Sequence, residues 1–195
     1  MDSGADMVGH IFTRIELPRL VLRHFGDSDL SIFHAYRNDP EIARYQGWES
    51  LNEDQARAFI EAVKAEQPGV PGEWFQFATE LKETRLLIGD CALKVDQEEP
   101  RQAQIGYTFA REHQGKGYAS EAVTALLDYA FNTLSLHRVY AFVNCDNHRS
   151  VALLERLNMR REGHFIQNYW HKNGWVDEYQ YAVLESEWLN RERQV

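Results

Sequence analysis

The segment best equipped for chemistry is Gln114-Gly115-Lys116-Gly117-Tyr118-Ala119, followed by Ser120. Glycines let the backbone take positive φ and approach a ligand closely. The first amides of a helix have no internal partners and carry the positive end of its dipole. A glycine turn that opens a helix is therefore a pocket for a phosphate or pyrophosphate, and Lys116 adds a positive charge beside it. Two familiar phosphate patterns do not fit. GxxxxGK[ST] lacks its spacing and the Ser or Thr after Lys, and so its magnesium ligand. GxGxxG has Ser120 where the third Gly or Ala would stand. A plain glycine turn tightening a strand-to-helix connection accounts for Gly115 and Gly117 equally well. A second pair, Asn147 and Ser150, has the spacing of a helix N-cap and its first turn. The eight histidines show no metal-ligand spacing, and Cys91 and Cys145 belong to no CxxC pair, so neither a metal site nor a disulfide framework is read.

These residues need elements to hold them. Ile105 to Ala110, IGYTFA, reads as the strand entering the turn. The helix leaving it carries Ala119, Ala122, Val123, Leu126, Leu127, Ala130, Phe131 and Leu134 on one face. Arg138 to Val143 is apolar on both faces, as an interior strand is. Asn147 opens a short helix that buries Val151, Leu154 and Leu157, and Asn158 stands where the chain turns left-handed. Phe165 to Trp170 and Trp175 to Leu184 form a hairpin around Asn173-Gly174. Upstream, Leu20 to Leu22 is a short strand, and Asp27 caps a helix through about Tyr36, closed by Asp39-Pro40. Tyr45 to Trp48 is an aromatic loop. Asn52 and Gln55 resemble a capping box before a helix bearing Ala56, Phe59, Ile60 and Val63. Strands follow at Trp74 to Leu81 and Leu86 to Val95. Met1 to Phe12 is a loose lead-in. The order β, α, α, β, β, β, α, β, α, β, β predicts one layered α/β (α+β) domain over residues 1–195.

Composition narrows the partners. The chain has 195 residues, 44% of them hydrophobic and 26% charged, which suits a soluble globular domain. Lys and Arg number 21 against 30 Asp and Glu, a net charge of −9. That balance disfavours nucleic acid and leans toward cationic small molecules or basic peptides. No apolar run approaches a membrane span and the start lacks the marks of a signal peptide, so the expected location is the cytoplasm.

The longer pattern is more specific. Gln114, Gly117 and Ala119 hold the three defining places of Q/R-x-x-G-x-G/A. In this the region resembles the Gcn5-related N-acetyltransferase (GNAT) superfamily, whose acetyl-CoA loop has that form. "HQGKGYASEAVTALLDYAF", "LHRVYAFVNCDNHRSVALLERLNMRREGHF" and "NGWVDEYQYAVL" resemble the Rim branch, which includes ribosomal-protein N-terminal acetyltransferases. "RLVLRHF" and "LLIGDCAL" are similar to it too, so the resemblance covers roughly residues 17 to 189. The family usually has Gly-Phe where Asn158-Met159 stands; Asn tolerates the left-handed turn and Met supplies the apolar contact.

The resemblance implies a mixed, mostly antiparallel sheet flanked by helices. It also implies acetyl-CoA as co-substrate, a primary amine as acceptor (a protein N-terminus or a small amine), no metal, and a homodimer. By resemblance, Thr108 and Phe109 hold the pantetheine arm, and amides of Gln114, Gly115, Lys116, Gly117, Tyr118, Ala119 and Ser120 hold the pyrophosphate. Asn147 would bind the pantetheine while capping its helix, and Ser150 would hydrogen-bond the leaving sulfur. A cationic amine must lose a proton before attack. Asp90 is the first candidate base, against the alternative of a strand-end or bulge carboxylate open to solvent. Glu121, Asp177 and Glu178 are further candidates. Tyr45, Trp48, Trp74 and Tyr169 are candidates for acceptor recognition, against the alternative of satellite packing under the loops. A module that binds acetyl-CoA without turnover, and a phosphate-binding domain unrelated to CoA, are the competing functions.

Overall fold

Main-chain pairing in the computed structural model, which describes residues 11–48, 50–172 and 174–191, builds one eight-stranded sheet. Its strands are β1 (Arg14–Glu16), β2 (Leu20–Arg23), β3 (Trp74–Leu81), β4 (Leu86–Val95), β5 (Gln102–Phe109), β6 (Arg138–Asn144), β7 (Arg160–His171) and β8 (Gly174–Leu184). The helices are α1 (Leu30–Arg37), α2 (Pro40–Ala43), α3 (Glu53–Val63), α4 (Tyr118–Asn132), α5 (His148–Arg156) and α6 (Glu185–Asn190). The strand order is β1-β2-β3-β4-β5-β6-β8-β7, and every neighbouring pair is antiparallel except β5 and β6. The mixed, mostly antiparallel sheet with flanking helices matches the expected class.

Strand alternation feeds two apolar clusters. Phe75, Phe77, Leu93 and Ile105 pack with Leu126 of α4 and Leu154 of α5. Ala78 and Leu87 instead join Phe33, Tyr36 and Ile60 of α1 and α3. In α4 the buried residues Ala122, Val123, Leu126, Leu127 and Ala130 recur at helical spacing, which is why this segment is a helix with one face inward. Leu134 lies just past its end.

Local signals explain several ends. Asn147 accepts from the Ser150 amide at 3.2 Å and caps α5. Asn52 and Gln55 exchange two bonds of 2.8 Å at the start of α3. Asn158 takes φ 56° and Met159 is buried, so the departure from Gly-Phe is absorbed as expected.

Other expectations are corrected. The helix after Phe25 begins with a 3-10 turn at Asp27–Asp29, and it is Asp29, not Asp27, that accepts from the Gly26 amide. Asp39 does not only close α1; it caps α2 by accepting from the Glu41 amide. The lead-in is not loose at its end, since Phe12 is 3% exposed among the rings of His24, Phe75, Phe77 and Tyr129; Met1 to His10 lie outside the described residues. β7 starts five residues before Phe165, and β1, α2 and α6 had no counterpart in the sequence reading. Asn173 lies outside the described residues, and Gly174 opens β8.

Two irregularities shape the middle of the sheet. The β3–β4 register passes from Thr79↔Gly89 to Glu80↔Leu87, which leaves Ile88 as an extra residue in β4. At the bulge β4 presses onto β5: a Cβ on Gly89 would lie 2.3 Å from the Thr108 carbonyl oxygen. Beyond β5 the sheet opens. β5 and β6 pair only at Gln102↔Arg138, Ala103↔Val139 and Gln104↔Tyr140, and the rest of each strand diverges.

Candidate active site

The divergence of β5 and β6 opens a cavity of about 730 Å³. Its walls are Ile105 to Thr108 of β5, Ala141 to Asn144 of β6, and Asn147 and Ser150 at the start of α5. The Ala110 amide donates to the Ile88 carbonyl and sets the phase of the β4–β5 ladder. In an antiparallel ladder successive residues point their main-chain groups to opposite sides. Thr108 and Gly106 therefore bond toward β4, while Ile105, Tyr107 and Phe109 turn theirs toward the opened side. Thr108 lines the cavity, whereas Phe109 does not: its ring is buried in the core and its carbonyl accepts from Gln114.

The glycine turn follows β5 directly. Gly115 and Gly117 have φ of 75° and 81°, and Gly117 is the left-handed N-cap of α4, so both glycines are required by backbone conformation. Gln114 ties the turn to its neighbours. Its side-chain amide donates to the Phe109 carbonyl at 2.9 Å, and its oxygen accepts from Arg149 of α5 at 2.7 Å. Arg19 clamps the turn from the sheet edge. It donates to the Lys116 carbonyl at 2.9 Å, pairs with Glu121 at 2.6 Å, and lies 4.7 Å over the Tyr118 ring. Glu121 is thus engaged outside the cavity, beside a smaller hollow that Gly117 and Ser120 also line, and its candidacy as base is set aside.

At the cavity wall Ser150 meets a residue not singled out before. Tyr107 Oη and Ser150 Oγ are 2.6 Å apart, and burial pushes the Tyr107 phenol up from its ordinary value. Asp90 is not an exposed strand-end carboxylate. It sits mid-strand, 2% exposed, accepting from Tyr36 Oη at 2.5 Å and from Arg37 Nη2 at 3.2 and 3.3 Å. Burial, and then the Asp90 charge, push the Tyr36 phenol well up. Arg37 lies under Trp48, its guanidinium 3.8 Å from the ring, and the indole donates back to the Arg37 carbonyl.

Tyr45, Trp48, Trp74 and Tyr169 all line the same cavity, and so do Asp90 and Glu178; Asp177 does not. The aromatic loop is held over it from two sides. Tyr45 Oη donates to the Asp146 carbonyl at 3.3 Å, and Lys172 donates to the Ala43 carbonyl at 3.0 Å. Gln46 reaches inward to Thr108 Oγ1 at 3.3 Å. Trp48 both packs against the second cluster and lines the cavity. Sequence pattern alone does not mark Tyr107, Arg37 or Arg19 as site residues. Tyr107 and Arg19 lie within motifs already read, IGYTFA and RLVLRHF, but their partners are 43 and 97 residues away, beyond any local pattern. No helix among the described residues is long and apolar enough to cross a membrane.

Comparison with known proteins agrees with this layout. Residues 19–160 match the family described as acetyltransferase (GNAT) domain. The protein named uncharacterized N-acetyltransferase p20, of Bacillus licheniformis, is 34% identical over 87% of this chain and 95% of its own length. A GNAT-family acetyltransferase from Bacillus anthracis superposes with a TM-score of 0.80 at 32% identity, covering 90% of this chain and all of that one. Spermidine N-acetyltransferase from Vibrio cholerae, solved in complex with CoA and spermine, superposes with a TM-score of 0.76 at 28% identity, covering 88% and 99% of the two chains. A splayed parallel strand pair, a glycine turn opening a helix on its amide end and a match across most of the sequence converge: this chain belongs to the GNAT family of acetyltransferases.

Proposed function

We propose that the protein transfers an acetyl group from acetyl-CoA to a primary amine by direct attack within a ternary complex. The observation that carries this is the opening between β5 and β6, which unites free main-chain groups, the Asn147–Ser150 pair and an aromatic end in one cavity. The chain's groups fit the coenzyme. Amides turned out by Ile105, Tyr107 and Phe109 suit the amide-rich pantetheine arm, and the amides from Gln114 to Ser120 suit the pyrophosphate. A β5 amide aimed at the thioester oxygen stabilises charge that develops there, an effect of about 3 kcal/mol for one preformed donor.

In the reaction a nitrogen–carbon bond forms as the carbon–sulfur bond breaks. The nitrogen's proton passes to a base and CoA leaves as a thiolate. Ser150 donates to that sulfur. Asp90 is replaced as base, because a proton arriving there would have to break its buried pair with Arg37. We assign the base to Glu178, a carboxylate lining the cavity whose Oε2 accepts from Asn168 at 2.8 Å. Asp90 instead fixes Arg37 beneath Trp48, and with it the floor of the acceptor end. Tyr45, Trp48 and Trp74 offer ring faces to a cationic amine. The acceptor is a protein N-terminus, as for the Rim branch that the sequence resembles, or a small amine. The likeness to a spermidine acetyltransferase supports the small amine.

Release of free thiol from acetyl-CoA, measured across a panel of polyamines, small monoamines and N-terminal peptides, tests this reading. Turnover of at least one class is expected. Binding of acetyl-CoA without turnover of any amine would make the chain a binding module. Acetyl-CoA at about 100 times its Kd should stabilise the fold by about 2.7 kcal/mol. Gly117→Glu should abolish that stabilisation, by forcing a side chain onto a left-handed residue and placing a carboxylate among the amides. Unchanged affinity would remove the turn from the site.

A further inference from the structure

We propose that Tyr107 is the positioning residue for Ser150: its phenol donates to Ser150 Oγ and so aims the serine's own hydrogen into the cavity, toward the departing sulfur. This rests on the reading above, in which Ser150 faces the thioester.

The argument is one of hydrogen counting. Ser150 has a single hydroxyl hydrogen and Tyr107 has one. Their oxygens stand 2.6 Å apart, so one hydrogen fills that contact and the other must go elsewhere. The phenol is the more acidic hydroxyl and the better donor. If the serine donated instead, the phenol hydrogen would be left, among the described residues, with the Ser150 carbonyl oxygen, 3.4 Å away. With the phenol donating, the short contact is used and the serine hydrogen is free. Burial keeps the phenol protonated, so the donor persists at working pH. Ser150 is fixed from its other side, where its amide donates to Asn147 Oδ1. The cap fixes the Ser150 backbone, and the phenol occupies one acceptor position of its hydroxyl oxygen. The fold supplies the meeting of the two groups. Tyr107 lies in the part of β5 that has left β6, and the first turn of α5 comes against it at Ser150. No proton leaves Tyr107; the phenol orients the serine and polarises its O–H.

A double-mutant cycle tests this, using the full chain and the best amine from the panel. Tyr107→Phe should lower kcat about fivefold to tenfold, the size expected for one hydrogen bond, with KM for acetyl-CoA within twofold of the parent. Ser150→Ala should lower kcat at least as much, and Tyr107→Phe added to it should cost less than a further twofold. Equal losses from Tyr107→Phe in both backgrounds would show that the phenol acts independently of Ser150 and would overturn the proposal. So would an unchanged kcat, or a loss confined to KM. Tyr107→His keeps a donor near the same place and should recover part of the rate if Tyr107→Phe proves poorly folded. A Tyr107→His variant that folds and binds acetyl-CoA, yet is as slow as Ser150→Ala, counts against the assignment. If the parent turns over no amine at all, the transferase reading itself fails. A slow Ser150→Ala beside a normal Tyr107→Phe defeats only the present inference.

Discussion

Two carboxylates that both line the cavity have opposite surroundings, and this separates their roles. Asp90 is buried against Arg37, itself 6% exposed, so Asp90→Asn leaves a guanidinium short of its counter-charge in the interior. The expected cost is about 3–5 kcal/mol of folding stability, read from urea denaturation. Glu178 accepts from the neutral Asn168 and pairs with no buried cation among the described residues, so Glu178→Gln should leave the denaturation midpoint nearly unchanged. It should lower kcat/KM for the amine about 100-fold, the scale of a lost general base, while acetyl-CoA binding is kept. A Glu178→Gln variant with parental kcat/KM would return the proton to water or to another group. The two residues also show what a sequence discloses at this scale. Gly117 and Asn147 are legible because their conformational tasks are local: a left-handed cap, and an N-cap three residues from its partner. Asp90 was misread because its environment is made by Tyr36 and Arg37, more than 50 residues away. Tyr107 was passed over because an aromatic in a strand looks like core until α5 is seen beside it.

At the scale of elements, the site depends on β5 being held by β4 alone along most of its length. The bulge at Ile88 and the bare Gly89 bring the two strands into tight contact there. Gly89→Ala would set a methyl 2.3 Å from the Thr108 carbonyl and 2.8 Å from Phe109 Cα, atoms that cannot rotate away. A loss of about 1–3 kcal/mol in thermal or urea unfolding is expected, as for other overpacked interiors. A stability equal to the parent's would mean that the strands part freely at the bulge. The far edge of the sheet is held differently. Glu162 on β7 accepts from Arg138 of β6, across the intervening β8, and from Arg160. Those bonds, the one from Arg138 foremost, hold the Glu162 carboxyl below its ordinary value. A carboxylate lowered in the folded state adds stability that is present above its unfolded pKa and lost as pH falls through the folded one. Glu162→Gln should therefore cost about 0.5–1 kcal/mol near neutrality and nothing once pH is well below the carboxylate range. Equal destabilisation at both pH values would assign the effect to packing. Legibility at this scale followed length and periodicity. α4 and β4 were plain, whereas β1 and α2, of three and four residues, carry too little pattern to stand out. α6 was hidden because a Glu-Ser-Glu start follows β8 without a break.

For the molecule as a whole, the net charge of −9 and a coenzyme rich in phosphate look opposed. They are reconciled by range. Main-chain amides at a helix start act over one turn and do not depend on net charge. The summed carboxylates act at long range and are screened by salt. On the proposed function the local device serves acetyl-CoA, and the global field is left to act on the proposed acceptor, an amine that is a cation in solution. This predicts opposite salt responses for the two. Between about 0.02 M and 0.5 M salt the Debye length contracts several-fold, and kcat/KM for a cationic amine should fall several-fold with it. KM for acetyl-CoA, an anion repelled by the same field, should stay level or improve. A polyamine should respond more steeply than a monoamine, in proportion to its charge. Initial rates at fixed pH, with one substrate saturating and the other varied, measure each arm. Parallel slopes for amine and acetyl-CoA would show that the field steers neither, and the acidity would then be a property of the surface alone.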